Sequence, residues 1–419
     1  MGFPIKKQLL QKTNRRYLES FLVMAASETY ELNACPEKLE EVYTVEEQLG
    51  KGQFAVVKKC HHKESGAEGA AKFIKVKRTR ASRSGLSREL IAREASLLKG
   101  INHDQIIKLY DVFDNGPEVV LVLELLSGGE LFDEISKMDY LTEIDACIYT
   151  KQVLEAIAYI HALKIVHLDI KPENIVLKEK SKPDIKLVDF GLAEHLTEGQ
   201  ELKTMVGTPE FVAPEIVNFE SVGFYTDMWA IGVLVFVMLS GCSPFLGDDD
   251  QETYANIASV DYEMDEEEFG KISQEAKDLI ENLLVKAPKK RLTGQRCLEH
   301  AWMQAETSQS AKENSTRIDT KSLRAFVARR KWQANVLKLH AVTRFAMGVN
   351  KLPSQFSVEV DDEGHPLDKS SNGDQLPGVQ VSDLKDGAEQ YSSKFSSLMG
   401  DLKLAANEEG LKETEAEES

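Results

Sequence analysis

The chain has 419 residues, of which 42% are hydrophobic, so it is long enough for two or three domains with a substantial core. Its formal net charge of -18 excludes a general nucleic-acid binder, because such proteins carry a basic domain. The five cysteines are scattered, with no CxxC pair and no zinc-ligand spacing, which favours a reducing compartment and a cytoplasmic location.

Residues 1–42 are predicted to be an N-terminal extension that precedes the first domain. Residues 3–26 mix basic and apolar side chains, a pattern that fits either a weak membrane or organelle address or a solvated segment. The most apolar stretch of the main body, residues 228–239, is far shorter than the roughly 20 residues that span a bilayer. The sequence therefore predicts a buried helix there and no transmembrane segment.

From residue 43 to about 81, short alternating segments rich in β-branched residues predict twisted antiparallel strands with a hairpin at residues 50–52. Glycines in this hairpin would let backbone amides approach a phosphate closely, although an ordinary hairpin explains them equally well. No helix follows, so the pattern is not a dinucleotide-binding fingerprint. The candidate phosphate-binding loop consists of Leu49, Gly50, Lys51, Gly52, Gln53, Phe54, Ala55, Val56 and Val57.

Two opposite charges fall on apolar faces of neighbouring elements. Lys72 shares a strand face with Ile74 and Val76, so its ammonium would need a partner. Glu94 lies on a helix predicted over residues 87–99, on a stripe formed by Leu90, Leu97, Leu98 and Ile101. Either side chain alone could reach solvent. Together they predict a buried ion pair.

Strands are predicted near residues 106–113 and 119–125, and the character of the chain changes after Gly128 and Gly129. Long periodic patterns then predict helices over residues 143–163, 225–240 and 274–284. A small sheet-rich lobe over residues 43–126 followed by a helical lobe over residues 127–302 is the expected organisation.

The stretch VHLDIKPENIVL, residues 166–177, gathers Asp169, Lys171, Glu173 and Asn174 between two apolar runs. A surface turn would explain the Asp, Pro and Asn. However, a second short strand ends in Asp189-Phe190-Gly191. Oxygen atoms of Asp169, Asn174 and Asp189 beside a phosphate cradle would suit Mg²⁺, which binds a few carboxylates together with substrate phosphates.

In order along the chain, these motifs resemble those of the eukaryotic protein kinases. The resemblance covers residues 43–302 and rests on GxGxxAxV, AAK, Glu94, HLDIKPEN, DFG, GTPEF and APE. It implies an α+β bilobal kinase fold, with a small antiparallel-sheet N-lobe, a larger helical C-lobe and ATP in the cleft between them. Lys171 and the tripeptide Gly207-Thr208-Pro209 point to the serine/threonine kinases.

The resemblance also assigns roles to individual residues. Lys72 would hold the α- and β-phosphates and pair with Glu94, while Asn174 and Asp189 would bind Mg²⁺. Asp169 would orient the attacking hydroxyl and accept its proton, and Lys171 would neutralise the γ-phosphate.

Further roles concern the hinge, the substrate and the large lobe. Glu124 and Leu126 would line the adenine-binding hinge. Glu130 would lie at the edge of the nucleotide site and, with Glu173, contact basic residues upstream of the target hydroxyl. Glu215 and Arg291 would form a structural ion pair.

Two residues depart from the kinase pattern. Ala55 replaces a third glycine, which still permits close approach to phosphate. Leu168 replaces the arginine that commonly grips a phosphate on the activation segment, residues 189–215. Activity is therefore expected not to depend on phosphorylation of Thr197, Thr204 or Thr208. The competing interpretation, supported by the same departures, is a catalytically inactive calmodulin-binding scaffold.

Narrower motifs resemble the death-associated protein kinases of the calmodulin-dependent group, with myosin light-chain kinases as the alternative. They are GQFAVVKKC, AAKFIK, SREL, LELLSGGELFD, GTPEFVAPEIVN, DMW and SPFLGDDDQET. A basic loop over residues 75–88 contains six Lys or Arg and no acidic residue. This loop is either a solvated strip or a docking surface for a homodimer. Ankyrin repeats and a death domain are not recognisable, as expected of a short family member.

Control is predicted to lie beyond the kinase domain. Residues 303–319 are a polar linker, residues 320–347 a basic helix, and residues 348–419 an acidic tail expected to be disordered. Trp332, Val336, Leu339 and Phe345 are spaced as anchors for calcium-loaded calmodulin. A helix packed on the kinase or on a membrane is the alternative. The helix is expected to block the substrate cleft until calmodulin removes it.

Overall fold

The computed structural model describes residues 30–52, 54–77, 85–180, 182–197, 199, 201–304, 313 and 315–333. The chain divides into two compact units, Met1–Phe326 and Val327–Ser419. Several predicted features lie outside the described residues: the candidate membrane address at 3–26, Gln53, residues 78–84 of the basic loop, residues 334–347 of the regulatory helix and the acidic tail. Of the second unit, residues 327–333 are described, and they are helical.

Five antiparallel strands form the sheet of the small lobe in the order β1-β2-β3-β5-β4, as the alternating pattern predicts. In this sheet Lys72 on β3 lies between Val57 on β2 and Leu121 on β5. The small-lobe elements are α1 (Leu39–Val42), β1 (Tyr43–Lys51), β2 (Ala55–His62), β3 (Glu68–Lys75), α2 (Arg88–Gly100), β4 (Leu109–Asp114) and β5 (Glu118–Glu124).

Helix α2 begins where the sequence predicts, because the Ser87 hydroxyl accepts a hydrogen bond from the amide of Leu90 at its N-terminus. Its buried face includes Ile91, Glu94 and Leu98. The prediction that Leu90 belongs to this face is wrong, since 39% of Leu90 is exposed. Leu90 is one residue from Ile91, and a step of one residue turns about 100° around a helix.

Residues 30–42 pack on the small lobe, although the sequence suggested only an extension. Leu39 on α1 is wholly buried, in an apolar cluster with Tyr43 and Phe113. The amide of Cys35 donates to the carbonyl of Val112 on β4, at 2.7 Å. This segment therefore supplies part of the small-lobe core.

The large lobe is built around α6, the predicted buried helix, in which every residue from 226 to 240 is buried. No helix in the described part of the chain is long and apolar enough to cross a membrane. The large-lobe elements are α3 (Leu131–Ser136), β6 (Tyr140–Thr142), α4 (Glu143–Ala162), β7 (Ile165–Val166), β8 (Ile175–Leu177), β9 (Ile185–Leu187), β10 (Glu194–His195), α5 (Pro214–Val217), α6 (Phe224–Ser240), α7 (Asp250–Ser259), α8 (Glu266–Phe269), α9 (Gln274–Leu283) and α10 (Gly294–Leu298).

The predicted linker contains a strand, β11 (Arg317–Asp319), which pairs antiparallel with β6. Residues 321–326 are helical, and Leu323 and Phe326 are buried. At the end of α6 the backbone of Gly241 has a φ of +77°, and a Cβ there would lie 2.3 Å from the amide nitrogen of Leu323. A glycine at this position therefore lets the C-terminal segment pack closely against the large lobe.

Candidate active site

The stretch between β7 and β8 forms a loop that fixes one carboxylate from two sides. The Lys171 ammonium lies 2.6 Å from Asp169 Oδ2. The Asn174 side-chain amide donates to the Asp169 carbonyl oxygen at 2.7 Å and to Asp169 Oδ2 at 3.1 Å. Thr208 in the activation segment places its hydroxyl 3.5 Å from Asp169 Oδ1. Asp169, Lys171 and Asn174 thus lie together in one loop, as the sequence predicts, while the roles assigned to them stay predictions.

Asp227 on α6 holds the start of this loop, and sequence reasoning missed its role. Its two carboxylate oxygens each accept a backbone amide, from His167 and from Leu168, at 2.9 Å. His161 Nε2 lies 2.8 Å from Asp227 Oδ2. Leu168 has a φ of +62°, a conformation that is costly for a branched residue unless its surroundings fix it. The sequence signal that could have revealed this role is the charge of Asp227 in the first turn of the otherwise apolar helix α6.

His167 is fully buried beside the ring of Phe190, with ring centroids 4.9 Å apart. Burial lowers its pKa more than the carboxylates of Asp227, Asp169 and Asp189 raise it, so the imidazole is neutral at neutral pH. His167 therefore adds no positive charge to the loop at neutral pH.

The predicted ion pair between Lys72 and Glu94 is present, with Lys72 Nζ 2.8 Å from Glu94 Oε1. Exposure of the two side chains is 22% and 5%. Burial lowers the pKa of Lys72, but the charges of Glu94 and Asp189 outweigh burial, and the pKa is raised overall. The ammonium is therefore protonated and is directed toward the same region as Asp189.

The glycine-containing loop is a hairpin between β1 and β2, without a helix. Gly50 pairs with Val57 and Lys51 with Val56, and the amide of Gly52 donates to the carbonyl of Ala55 at 2.8 Å. Leu49 is 48% exposed. Phe54, Ala55, Val56 and Val57 are half-buried.

The segment that joins the lobes begins at Glu124, whose side chain is buried against Lys186 on β9. Lys186 Nζ lies 2.8 Å from Glu124 Oε2 and donates to the carbonyl oxygen of Ile106 at 3.1 Å. Sequence reasoning missed Lys186. Leu126 is half-buried, and Glu130 immediately precedes α3 and is bridged to Val176.

A second predicted ion pair lies in the large lobe. Two guanidinium nitrogens of Arg291 each lie 2.8 Å from an oxygen of Glu215, at the end of the activation segment. Both side chains are completely buried.

Comparison with known proteins gives the family. The description "Protein kinase domain" matches residues 43–303. Human death-associated protein kinase 2 is 50% identical over 300 residues, which cover 71% of this chain and 81% of the relative. The chain belongs to the death-associated protein kinase family. It is a serine/threonine protein kinase of the calmodulin-dependent group, and its fold is the predicted bilobal kinase fold.

Two further relatives extend the comparison. Chicken smooth-muscle myosin light chain kinase is 42% identical over 311 residues, which cover 74% of this chain but 16% of the relative. A solved C. elegans twitchin kinase fragment, described as an autoregulated protein kinase with immunoglobulin domains, has a TM-score of 0.67 and 33% identity. That match covers 75% of this chain and 68% of the fragment.

Death-associated protein kinases use ATP and Mg²⁺, and the donor set of this chain fits a magnesium ion shared with a nucleotide. The side-chain amide nitrogen of Asn174 donates hydrogen bonds to Asp169, which leaves the side-chain oxygen of Asn174 free to bind a metal. Asp189 Oδ1 accepts the Gly191 amide at 3.3 Å, which leaves Oδ2 for a metal. Within the described ranges no three His, Cys, Asp or Glu residues gather as a metal site.

Proposed function

We propose that this death-associated protein kinase is regulated by calcium and calmodulin and transfers the γ-phosphate of ATP to Ser or Thr preceded by basic residues. Lys72, held by Glu94, would bind the α- and β-phosphates. Asn174 and Asp189 would bind Mg²⁺, which neutralises phosphate charge when bound. Nucleotide would lie under residues 49–57 and against the backbone of Glu124 and Leu126, with Glu130 at the edge of this site.

The observation that supports turnover best is the hold on Asp169 by Lys171 and Asn174. Phosphoryl transfer needs positioning and charge neutralisation more than covalent chemistry. Asp169 would accept the proton of the substrate hydroxyl while the hydroxyl oxygen forms a bond to the γ-phosphorus of ATP. The bond between the γ-phosphorus and the oxygen that bridges it to the β-phosphate would break, and ADP would leave. Lys171, in the same loop, would neutralise the negative charge of the γ-phosphate as it is transferred.

Replacing Asp169 by Asn tests this assignment. The amide keeps the size of the side chain and one acceptor oxygen but cannot accept the proton. We expect kcat to fall by roughly 10²–10⁴-fold with ATP affinity retained, measured by phosphate transfer to a basic peptide and by nucleotide titration. Asp184→Asn, on the turn before β9, is the matched control. Normal turnover by the Asp169 variant would remove Asp169 as the proton acceptor, whereas no turnover by the wild type would support the scaffold interpretation.

Substrate preference is proposed from two acidic side chains at the large-lobe side of the site. Glu130 immediately precedes α3, and Glu173 follows Pro172 in the catalytic loop. Carboxylates at these positions would favour Arg or Lys upstream of the target hydroxyl. A myosin light chain is one candidate, since a myosin light chain kinase is among the relatives.

Regulation is proposed from the C-terminal segment. From residue 321 to 344 the sequence carries seven Lys or Arg and no acidic residue, with Trp332 as a predicted anchor. A basic amphipathic helix of this kind suits the acidic groove of calmodulin. The helix would block the substrate cleft at rest, in keeping with the description of the twitchin relative as an autoregulated kinase.

Phosphate transfer by the full chain, measured with and without calcium and calmodulin, tests this switch. We expect stimulation by calcium-loaded calmodulin, and weaker calmodulin binding after Trp332→Ala. Gln333→Ala, at the neighbouring position, is the control. Equal turnover with and without calmodulin would agree with the proposed kinase activity but contradict the proposed regulation by calmodulin.

One partner assignment and one location complete the proposal. The basic loop at residues 75–88 would be a contact between two copies of the chain, and the enzyme would act in the cytoplasm. Sedimentation of the protein before and after replacement of Lys75 and Lys77 by Glu tests the dimer contact. An unchanged molecular mass would remove that assignment.

A further inference from the structure

Arg93 immediately precedes Glu94 on α2 and binds the start of the activation segment. Its Nη1 donates to Glu194 Oε1, and its Nη2 lies 3.5 Å from the carbonyl oxygen of Gly191. Exposure of the Arg93 and Glu194 side chains is 16% and 28%, so the pair is largely shielded from solvent. Because Gly191 and Glu194 follow Asp189 closely, one arginine joins α2 to the segment that would carry a metal ligand.

Glu194 is itself fixed to the strand that leads into the catalytic loop. It lies on β10, where it pairs with Val166 on β7. The next residue, His195, pairs with Ile165. The Leu196 amide then donates to the carbonyl of Lys164 at 2.7 Å. Through Arg93, therefore, α2 is connected to β7, which leads into the catalytic loop three residues before Asp169.

The connection between α2 and the activation segment uses the Glu194 carboxylate. This negative charge is part of the unmodified chain and does not depend on phosphorylation. Leu168, in contrast, is apolar and 6% exposed, so it offers no cation to a phosphate on the activation segment. The segment is thus attached to α2 by Glu194, at a position where the chain already supplies the negative charge.

Tyr30 of the N-terminal segment lies near this ion pair. Burial raises the pKa of Tyr30, and the negative charge of Glu194 raises it further while Arg93 lowers it. Burial also raises the pKa of Glu194, against the lowering effect of Arg93. Both shifts agree with a pair that is partly withdrawn from water, where a charge-assisted hydrogen bond is stronger.

We propose that Arg93 and Glu194 are positioning residues that hold α2 where Glu94 meets Lys72, so that phosphate transfer proceeds without phosphorylation of Thr197, Thr204 or Thr208. This inference rests on the roles proposed above for Lys72 and Glu94. It adds a connection between α2 and the activation segment that those roles do not require.

The test uses full-length protein produced with a phosphatase and shown by mass spectrometry to carry no phosphate, assayed with and without calcium and calmodulin. Glu194→Gln keeps the shape of the side chain and removes its charge. We expect kcat to fall roughly fivefold to tenfold, with the KM for the peptide nearly unchanged, because α2 is released while the peptide site is not. Amide hydrogen exchange in α2 should become faster.

Two further variants separate positioning from general destabilisation. Combining Arg93→Glu with Glu194→Arg restores an ion pair in reversed order and should recover most of the lost kcat. Asp114→Asn is the matched control, because it breaks the pair with Arg88, which joins the same helix to β4 instead of to the activation segment. This control should leave kcat and the exchange of α2 near wild type.

Equal kcat for Glu194→Gln and Asp114→Asn in an active, phosphate-free enzyme would overturn the inference and leave the proposed kinase function intact. A wild-type enzyme that gains activity only on phosphorylation would also overturn the inference. No turnover by the wild type in any state would overturn the proposed function, and this inference with it.

Discussion

Arg291 and Glu215 form an ion pair that is fully withdrawn from solvent. Besides its two bonds to Glu215, Arg291 donates through Nε to the carbonyl of Val285 and through Nη1 to that of Tyr225. Its guanidinium also lies over the ring of Trp229, 4.9 Å from the centroid. The arginine therefore connects the end of the activation segment to α6 and to the chain that follows α9.

Removing the cation of this pair would leave the buried Glu215 carboxylate without its counter-charge, although the Thr226 hydroxyl would still donate to Oε1. We expect Arg291→Met to lower the free energy of unfolding of the large lobe by about 3–5 kcal/mol, measured by urea unfolding. Lys182→Met, in an exposed pair with Glu179, should have little effect because solvent screens that pair. Similar losses for both variants would contradict the assignment.

At the scale of single residues, sequence reasoning predicted the contacts that a motif or an unusual charge reveals. Lys72 and Glu94 were predicted to pair because each placed a charge on an apolar face. Arg93 and Glu194 were missed because they are 101 residues apart and each is an ordinary charged residue on a partly exposed surface. Their meeting depends on the pairing of β10 with β7, two-residue strands that carry no periodic signal.

At the scale of elements, α1 shows how a short helix can complete a core. Leu39 is wholly buried with Tyr43, and the Tyr43 hydroxyl donates to Asp111 Oδ2 at 2.5 Å. Burial is the largest effect that raises the pKa of Tyr43, followed by this hydrogen bond. The segment before β1 is thus packed against Tyr43, and the hydrogen bond from the Cys35 amide to the Val112 carbonyl attaches it to β4.

Truncating Leu39 should therefore destabilise the small lobe. We expect Leu39→Ala to cost about 2–5 kcal/mol, because a buried leucine loses its contacts and leaves a cavity. Thermal unfolding measured with and without ATP would show the loss. Leu49→Ala, at a side chain that is 48% exposed, is the control for stability only. A change no larger than that of the control would show that α1 contributes little.

Long periodic elements were predicted well from the sequence, with helices α2, α4, α6 and α9 all within a residue or two of their predicted ends. Short elements were not. Helix α1 has four residues and β11 has three, and neither is long enough for its pattern to repeat twice. Their structure depends on partners far away in the chain, since β11 pairs with β6.

At the scale of the whole molecule, one buried and two half-buried histidines link stability to pH. Burial is the main cause that lowers the pKa of His103, His167 and His195. In the unfolded chain each would take up a proton near its ordinary pKa of about 6.5. Between that pH and the lower folded values, the unfolded state binds more protons than the folded state.

Stability should therefore fall as the pH drops below about 6.5. We expect the free energy of unfolding, measured in urea at pH 7.5 and pH 6.0, to be lower at pH 6.0. Burial raises the pKa of Glu155 and Glu194, so these two groups stabilise the folded state as the pH falls, opposite to the histidines. Their effect lies mainly at lower pH, nearer the ordinary pKa of a carboxyl group. His103→Gln should reduce the pH dependence. Equal or higher stability at pH 6.0 would contradict this linkage.

The pairing of β11 with β6 also fixes the point from which the C-terminal chain departs. A segment attached by a short connection experiences an effective concentration on the order of millimolar, whatever the concentration of the protein. An inhibitory helix beyond residue 326 would then need only weak intrinsic affinity for the enzyme to compete with dilute substrates. Weak intrinsic affinity is also what lets a second ligand displace such a helix readily, so the same attachment would allow inhibition that is effective yet reversible.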